Sequence, residues 1–215
     1  MSAAVSLAGA ALGLGLGARH AFEPDHLAAV SVLAAERPGR GRGFLIGALW
    51  GAGHAATLLA CGLVATLAAG GSWRGDGGAF ELPAGLMVAA LGARALRRAA
   101  RGDDPFAAPP PVARARLKLR PFLVGAVHGL AGSGALVALV TLRLDTTAAR
   151  LGFISLFGAG AMLGMSVMSG IATWPLARVS RRPGAARWVL GTLGAASALV
   201  GVAWTVGALA RLSSL

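Results

Sequence analysis

The sequence predicts an all-α polytopic membrane protein, with six transmembrane helices arranged as two inverted three-helix repeats. Three observations carry this. Of the 215 residues, 56% are hydrophobic and 13% charged, whereas a soluble domain is about 45–50% apolar and about 25% charged. The mean hydropathy is +0.70. The chain holds 33 glycines, high for helices in water but ordinary where helices pack in lipid and small residues let backbones approach. Finally, strongly basic loops alternate with weakly basic ones between the apolar runs.

A bilayer core takes about 20 apolar residues per helix, and six segments reach that length. The first runs from about Ala3 to Ala35. It lacks the basic leader of a signal peptide and continues too long for one, so it reads as a retained first span. The second runs from about Phe44 to Ala69, the third from about Leu82 to Ala100 and the fourth from Pro121 to Leu142. The fifth runs from about Leu151 to Leu176 and the sixth from Trp188 to Leu209.

Lysine and arginine in short loops mark the cytoplasmic side. Arg37, Arg40 and Arg42 follow span one; Arg101, Arg114, Arg116, Lys118 and Arg120 follow span three; Arg178, Arg181, Arg182 and Arg187 follow span five. The other two loops carry Arg74 against Asp76 and Glu81, and Arg143 and Arg150 with Asp145. Both termini are therefore expected outside a multi-pass protein of the cytoplasmic (inner) membrane. The expected organisation is a first half over 1–100, a cytoplasmic linker over 101–120 and a second half over 121–215. The linker stretch Asp103–Arg120 is polar and rich in proline, which suits a linker rather than a span. The net charge of +12 does not indicate nucleic acid. The basic residues lie between apolar spans and form no face of a soluble domain.

The two sides of the linker look related. Trp50-Gly-Ala-Gly53-His54 matches Phe157-Gly-Ala-Gly160-Ala161, and His20 has a counterpart near His128 at nearly the same distance ahead. Two similar halves of three spans each must be oppositely oriented, because three is odd. That is the plan of many secondary transporters, whose substrate sits at the repeat interface.

All four histidines, His20, His26, His54 and His128, fall in these apolar segments. Ionisable groups in hydrocarbon are expensive and usually line a pathway. Imidazole is also a preferred ligand for divalent nickel, cobalt, copper and zinc. In an unbroken helix positions 20 and 26 lie about 120° apart. Pro24 changes this, since it lacks the N–H that would bond the His20 carbonyl and its ring clashes there. A break at Pro24 would bring His20, Asp25 and His26 together and free a backbone carbonyl. Arg19 and Glu23, spaced i,i+4, are expected to pair structurally. His54 follows Gly51-Ala-Gly53, a close-packing sequence, and reads as a further ligand. His128 and Ser133, in His128-Gly-Leu-Ala-Gly-Ser133, read as pathway residues, His128 being equally a candidate for direct ligation, with Thr57 beside the route. Met162, Met165, Met168 and the single cysteine, Cys61, read as packing residues. No CxxC motif is present.

At these residues the chain resembles the nickel/cobalt transporter family. His20-x4-Asp25-His26 looks like its H-x4-D-H signature, and Gly53-His54 followed by Thr57 is similar to its second histidine motif, G-H-S, with Ala55 at the serine position. The run His128-Gly-Leu-Ala-Gly-Ser-Gly-Ala135 is similar to shorter relatives described as urease-accessory or nickel-transport proteins. The acidic motif that longer members carry after span four is absent, and six spans are expected where those members have eight. The resemblance implies metal recognition by His20, Asp25 and His26, assisted by His54.

The expected function is thus a permease for a divalent transition metal, Ni²⁺ or Co²⁺, as transported substrate and not as a prosthetic cofactor. Histidines plus one carboxylate suit such ions over Mg²⁺ or Ca²⁺. Zn²⁺ and Cu²⁺ fit the ligands equally well, so the choice of metal rests on the resemblance. The expected partners are the ion, the lipid bilayer, and either a second copy of the chain or a soluble metal acceptor, with no nucleic acid. Two alternatives stand beside this reading. One is an exporter of another small solute on a similar inverted-repeat scaffold. The other is an intramembrane metalloenzyme, although there is no H-E-x-x-H and no general base beyond Glu23.

Overall fold

The computed structural model describes residues 3–35, 40–68, 77–102, 111–130, 146–179 and 184–213, with Leu144 and Arg182. Among these residues the chain forms seven helices. They are α1 (Ala3–His20), α2 (Pro24–Ala35), α3 (Arg40–Ala68) and α4 (Gly77–Arg101). They continue as α5 (Pro111–Gly129), α6 (Thr147–Val179) and α7 (Ala185–Ser213).

The first apolar segment is broken where proline demands it. Phe22 N–H donates to the Arg19 carbonyl and Glu23 N–H to the His20 carbonyl, both at 3.0 Å, closing α1 in a tight turn. Leu27 N–H then donates to the Glu23 carbonyl at 2.9 Å, the first bond of α2. Pro24 thereby occupies the first helical position, where its missing N–H is not needed and its fixed φ suits the helix. The His20 carbonyl that the sequence suggested would be freed is instead taken by Glu23.

α2 is short but central, packing against α3, α4, α6 and α7. Asp25, His26, Ala29, Val30, Val32, Leu33, Ala34 and Ala35 are all buried, so it is enclosed nearly all round. A helix apolar on every side belongs in an interior. Around it α3 lies along α6, α4 along α7, α1 against α6, and α5 against α3. Glycine sets the spacing of these pairs. A Cβ on Gly47 would come within 2.7 Å of the Met165 carbonyl carbon, and one on Gly92 within 2.8 Å of Ala198 Cα. No side chain fits at such distances, so the backbones meet directly. Ser197 adds a hydrogen bond across α4 and α7, its hydroxyl donating to the Val88 carbonyl at 3.1 Å. Arg211 pairs with Glu81 between the same two helices.

Three helices among the described residues are long and apolar enough to cross a membrane: α3 over Arg42–Val64, α6 over Thr147–Val179 and α7 over Ala185–Ser213. The chain is accordingly a helical membrane protein. The other expected spans differ from a plain apolar rod. α1 and α2 are two pieces of one segment, 18 and 12 residues long. α4 closes on Arg94, Arg97, Arg98 and Arg101, and α5 opens on a basic stretch. Residues 111–120, expected in the linker, are helical: α5 starts at Pro111, and Pro121 lies inside it. Proline at a first helical position followed by Arg, Ala, Leu and Lys makes a good helix start. Residues 103–110 lie outside the described residues.

Candidate metal centre

Five polar side chains converge beside the break. His20 closes α1, Asp25 and His26 stand in the first turn of α2, His54 sits mid-way along α3, and His128 is next to last in α5. All five are buried, none more than 4% exposed. His26 is the hub. Its ring centroid lies 4.3 Å from that of His20 and 4.3 Å from that of His128, in both cases near-perpendicular, and 5.3 Å from that of His54. His20 and His54 are 5.2 Å apart, whereas His54 and His128 are 6.5 Å apart.

Asp25 binds across the assembly. Its Oδ2 lies 2.5 Å from His128 Nε2, in a hydrogen bond joining α2 to α5. The same oxygen is 2.8 Å from His26 Nδ1, but out of line for a hydrogen bond. Glu23, half exposed at the break, turns to His20, with Oε1 2.9 Å from Nδ1. A carboxylate on one imidazole nitrogen fixes the ring and leaves the other nitrogen for a ligand. The expected Arg19–Glu23 pair is therefore not formed, and Arg19 is exposed. Asp25 takes histidine partners and not Arg19.

Six buried imidazole nitrogens have no hydrogen-bond partner among the described residues: Nε2 of His20, both of His26, both of His54 and Nδ1 of His128. Leaving a buried polar group unpaired costs about 1–3 kcal/mol. A cation taking one lone pair from each ring would offset part of that penalty, and Asp25 supplies balancing charge. Two sets place one donor atom from each member within 4.8 Å of one another: His20, His26 and His54, and Asp25, His26 and His128. Helix ends meet here as well: α1 and α5 end at the cluster, turning the negative ends of their dipoles toward it, while α2 begins there with its positive end, beside Asp25.

Aromatic rings wall the cluster. Trp50, one turn before His54, lies 5.3 Å from His26 and 5.9 Å from His128. Phe157 covers His20 at 5.5 Å, and Trp204 lies 6.2 Å from His128. The sequence marked Trp50 and Phe157 only as the residues opening the two G-A-G tripeptides. The i,i+4 spacing of Trp50 and His54 on one helix face was the available signal. Trp204 carried none.

The remaining candidates separate from the cluster. Thr57 spends its hydroxyl on the Gly53 carbonyl at 3.2 Å. Cys61, expected as a packing residue, is exposed on α3. Met165 and Met168 are buried among the core side chains. Ser133 lies outside the described residues.

The chain is 28% identical over 186 residues to the urease accessory protein UreH of Bacillus sp. (strain TB-90), a match covering 80% of this chain and 78% of that protein. No protein-family model and no solved structure matches it.

Proposed function

We propose that this chain is a membrane permease for a divalent transition-metal ion, Ni²⁺ or Co²⁺, recognised by His20, Asp25, His26 and His54. The observation that carries the reading is the buried cluster of four histidines, six of whose eight ring nitrogens have no hydrogen-bond partner among the described residues, gathered beside a helix break in an apolar helical protein. Neutral imidazoles with one carboxylate make a borderline-soft site with partial charge compensation, suited to these ions over Mg²⁺ or Ca²⁺. The similarity to a urease accessory protein supports a nickel-related accessory or transport role, and with the H-x4-D-H pattern it favours nickel or cobalt over zinc or copper.

The reading includes two inverted repeats. A Cβ on Gly17, three residues before His20, would strike the Phe157 carbonyl; one on Gly125, three before His128, would strike the Trp50 carbonyl. Phe157 and Trp50 open the two G-A-G tripeptides. Gly160 meets Leu14 and Gly53 meets Phe122 in the same way, each partner six residues before its histidine. Equivalent residues thus make equivalent contacts in the two halves, which supports the repeat. Rocking of one half against the other would carry the ion past the cluster.

The test loads proteoliposomes with a metal-responsive dye and follows Ni²⁺ and Co²⁺ entry. The wild-type chain is expected to conduct both, and His26→Ala to fall to the rate of empty vesicles. Equal rates from the two proteins would sink the assignment.

A further inference from the structure

We propose that the cluster is not one centre but two overlapping metal stations that turn on His26, with His128 a ligand of the second. The proposal rests on the reading of this chain as a metal permease and deepens it.

The geometry divides the ligands. The neutral set is His20, His26 and His54; the charged set is Asp25, His26 and His128; in each, the donor atoms lie within 4.8 Å of one another. Only His26 belongs to both. His54 and His128, one from each set, lie 6.5 Å apart, and Trp50 flanks His26 and His128. His26 is equally close to His20 and to His128, at 4.3 Å, with interplanar angles of 69° and 71°. Neither of its nitrogens has a hydrogen-bond partner among the described residues, although Nδ1 lies 2.8 Å from Asp25 Oδ2. A neutral imidazole has one in-plane lone pair, on whichever ring nitrogen lacks the proton, so the ring ligates one ion at a time, and the other tautomer turns that lone pair to the opposite side. A ring placed between two ligand sets can therefore serve either set, and serve them in turn.

The two stations also differ in what they touch. The neutral set comes from α1, α2 and α3, all in the first half of the chain. The charged set recruits α5, from the second half. An ion that passes from one set to the other exchanges His20 and His54 for Asp25 and His128, and moves onto the junction of the halves. The Asp25–His128 hydrogen bond at 2.5 Å holds that junction until the ion takes over its ligands. Ion position is in this way tied to how the halves sit against each other, which is what alternating access requires.

The experiment uses the full chain, in detergent for Co²⁺ binding followed by visible absorption and in vesicles for Co²⁺ flux. His128→Ala and His128→Gln are both made, since glutamine keeps a donor for Asp25 but is a poor metal ligand. Both are expected to bind Co²⁺ through the neutral set, with an altered absorption band, and to lose flux by about tenfold or more. His54→Ala is expected to bind through the charged set with a band unlike that of the His128 variants, and His26→Ala to bind at neither. If the His128 variants bind no Co²⁺, the centre is single and the proposal is overturned. If they keep wild-type band and flux, His128 is no ligand and it is overturned equally. If the wild-type chain itself binds no Co²⁺, the permease reading fails beneath it.

Discussion

His26 and Glu23 show how much a single side chain decides in a buried site. Glu23 touches no other imidazole of the cluster, yet its oxygen on His20 Nδ1 directs the opposite nitrogen inward. Ligand-orienting carboxylates of this kind alter metal affinity by about 10–100-fold. Glu23→Gln, which keeps the shape and loses the charge, is expected to weaken Co²⁺ binding within that range, read by competition with a chelator. An unchanged affinity would mean that the contact is incidental. The alternative, in which Glu23 acts as a general base on a substrate, predicts loss of a hydrolytic activity and no change in metal affinity. Residue chemistry was the most legible level of the sequence. His20, Asp25, His26 and His54 were singled out because polar groups in apolar segments are expensive, and the structure brings them together with His128. Arg19 and Glu23 do not pair because i,i+4 spacing counts only within a continuous helix, and the chain turns at Ala21. Cys61 is exposed where a packing position is expected, because an apolar run does not reveal which side faces out when both sides are apolar.

The break between α1 and α2 is the element on which the site depends. Without it Asp25 and His26 would continue the spiral of α1 and point away from His20. Pro24→Ala restores the missing N–H and removes the ring clash. It is expected to lower Co²⁺ affinity by at least about tenfold, more than its effect on thermal stability would account for. Wild-type affinity in Pro24→Ala would show that packing, and not proline, sets the break. The glycine contacts make a second prediction at this scale. Gly17→Ala and Gly125→Ala each push a methyl into a neighbouring backbone and should destabilise the protein by about 1–3 kcal/mol. Gly9→Ala, with nothing within 4 Å of the new carbon, should leave the melting temperature where it was. Equal losses at positions 17 and 125 are what a repeat predicts; a loss at one alone would argue against equivalence. The proline break was readable in advance because its cause is local. The helical start at Pro111 was not, since a charged, proline-flanked stretch has the composition of a linker whether or not it coils.

At the scale of the molecule, α3 with α6 and α4 with α7 form the frame, and α2 fills its interior. This follows from the sequence only in outline. Hydropathy locates apolar segments, but which helices touch is set by glycines at particular registers, and 33 glycines leave too many registers open. The aromatic residues that precede the G-A-G tripeptides, Trp50 and Phe157, carry the carbonyls that Gly125 and Gly17 approach, contacts that are equivalent on the proposed repeat. Orientation is a separate prediction carried by the basic loops. A tag placed at either end is expected to be cleaved by protease added outside intact cells; protection of both ends would reverse the topology and protection of one would break the three-plus-three plan.

The account stands on the buried histidines being metal ligands, and X-ray absorption at the nickel edge of the purified, Ni²⁺-loaded chain tests that most directly. The predicted spectrum carries the multiple-scattering pattern of several imidazoles together with oxygen ligation, and loses the imidazole pattern in His26→Ala. A shell of oxygen alone, the same in wild type and variant, would contradict it.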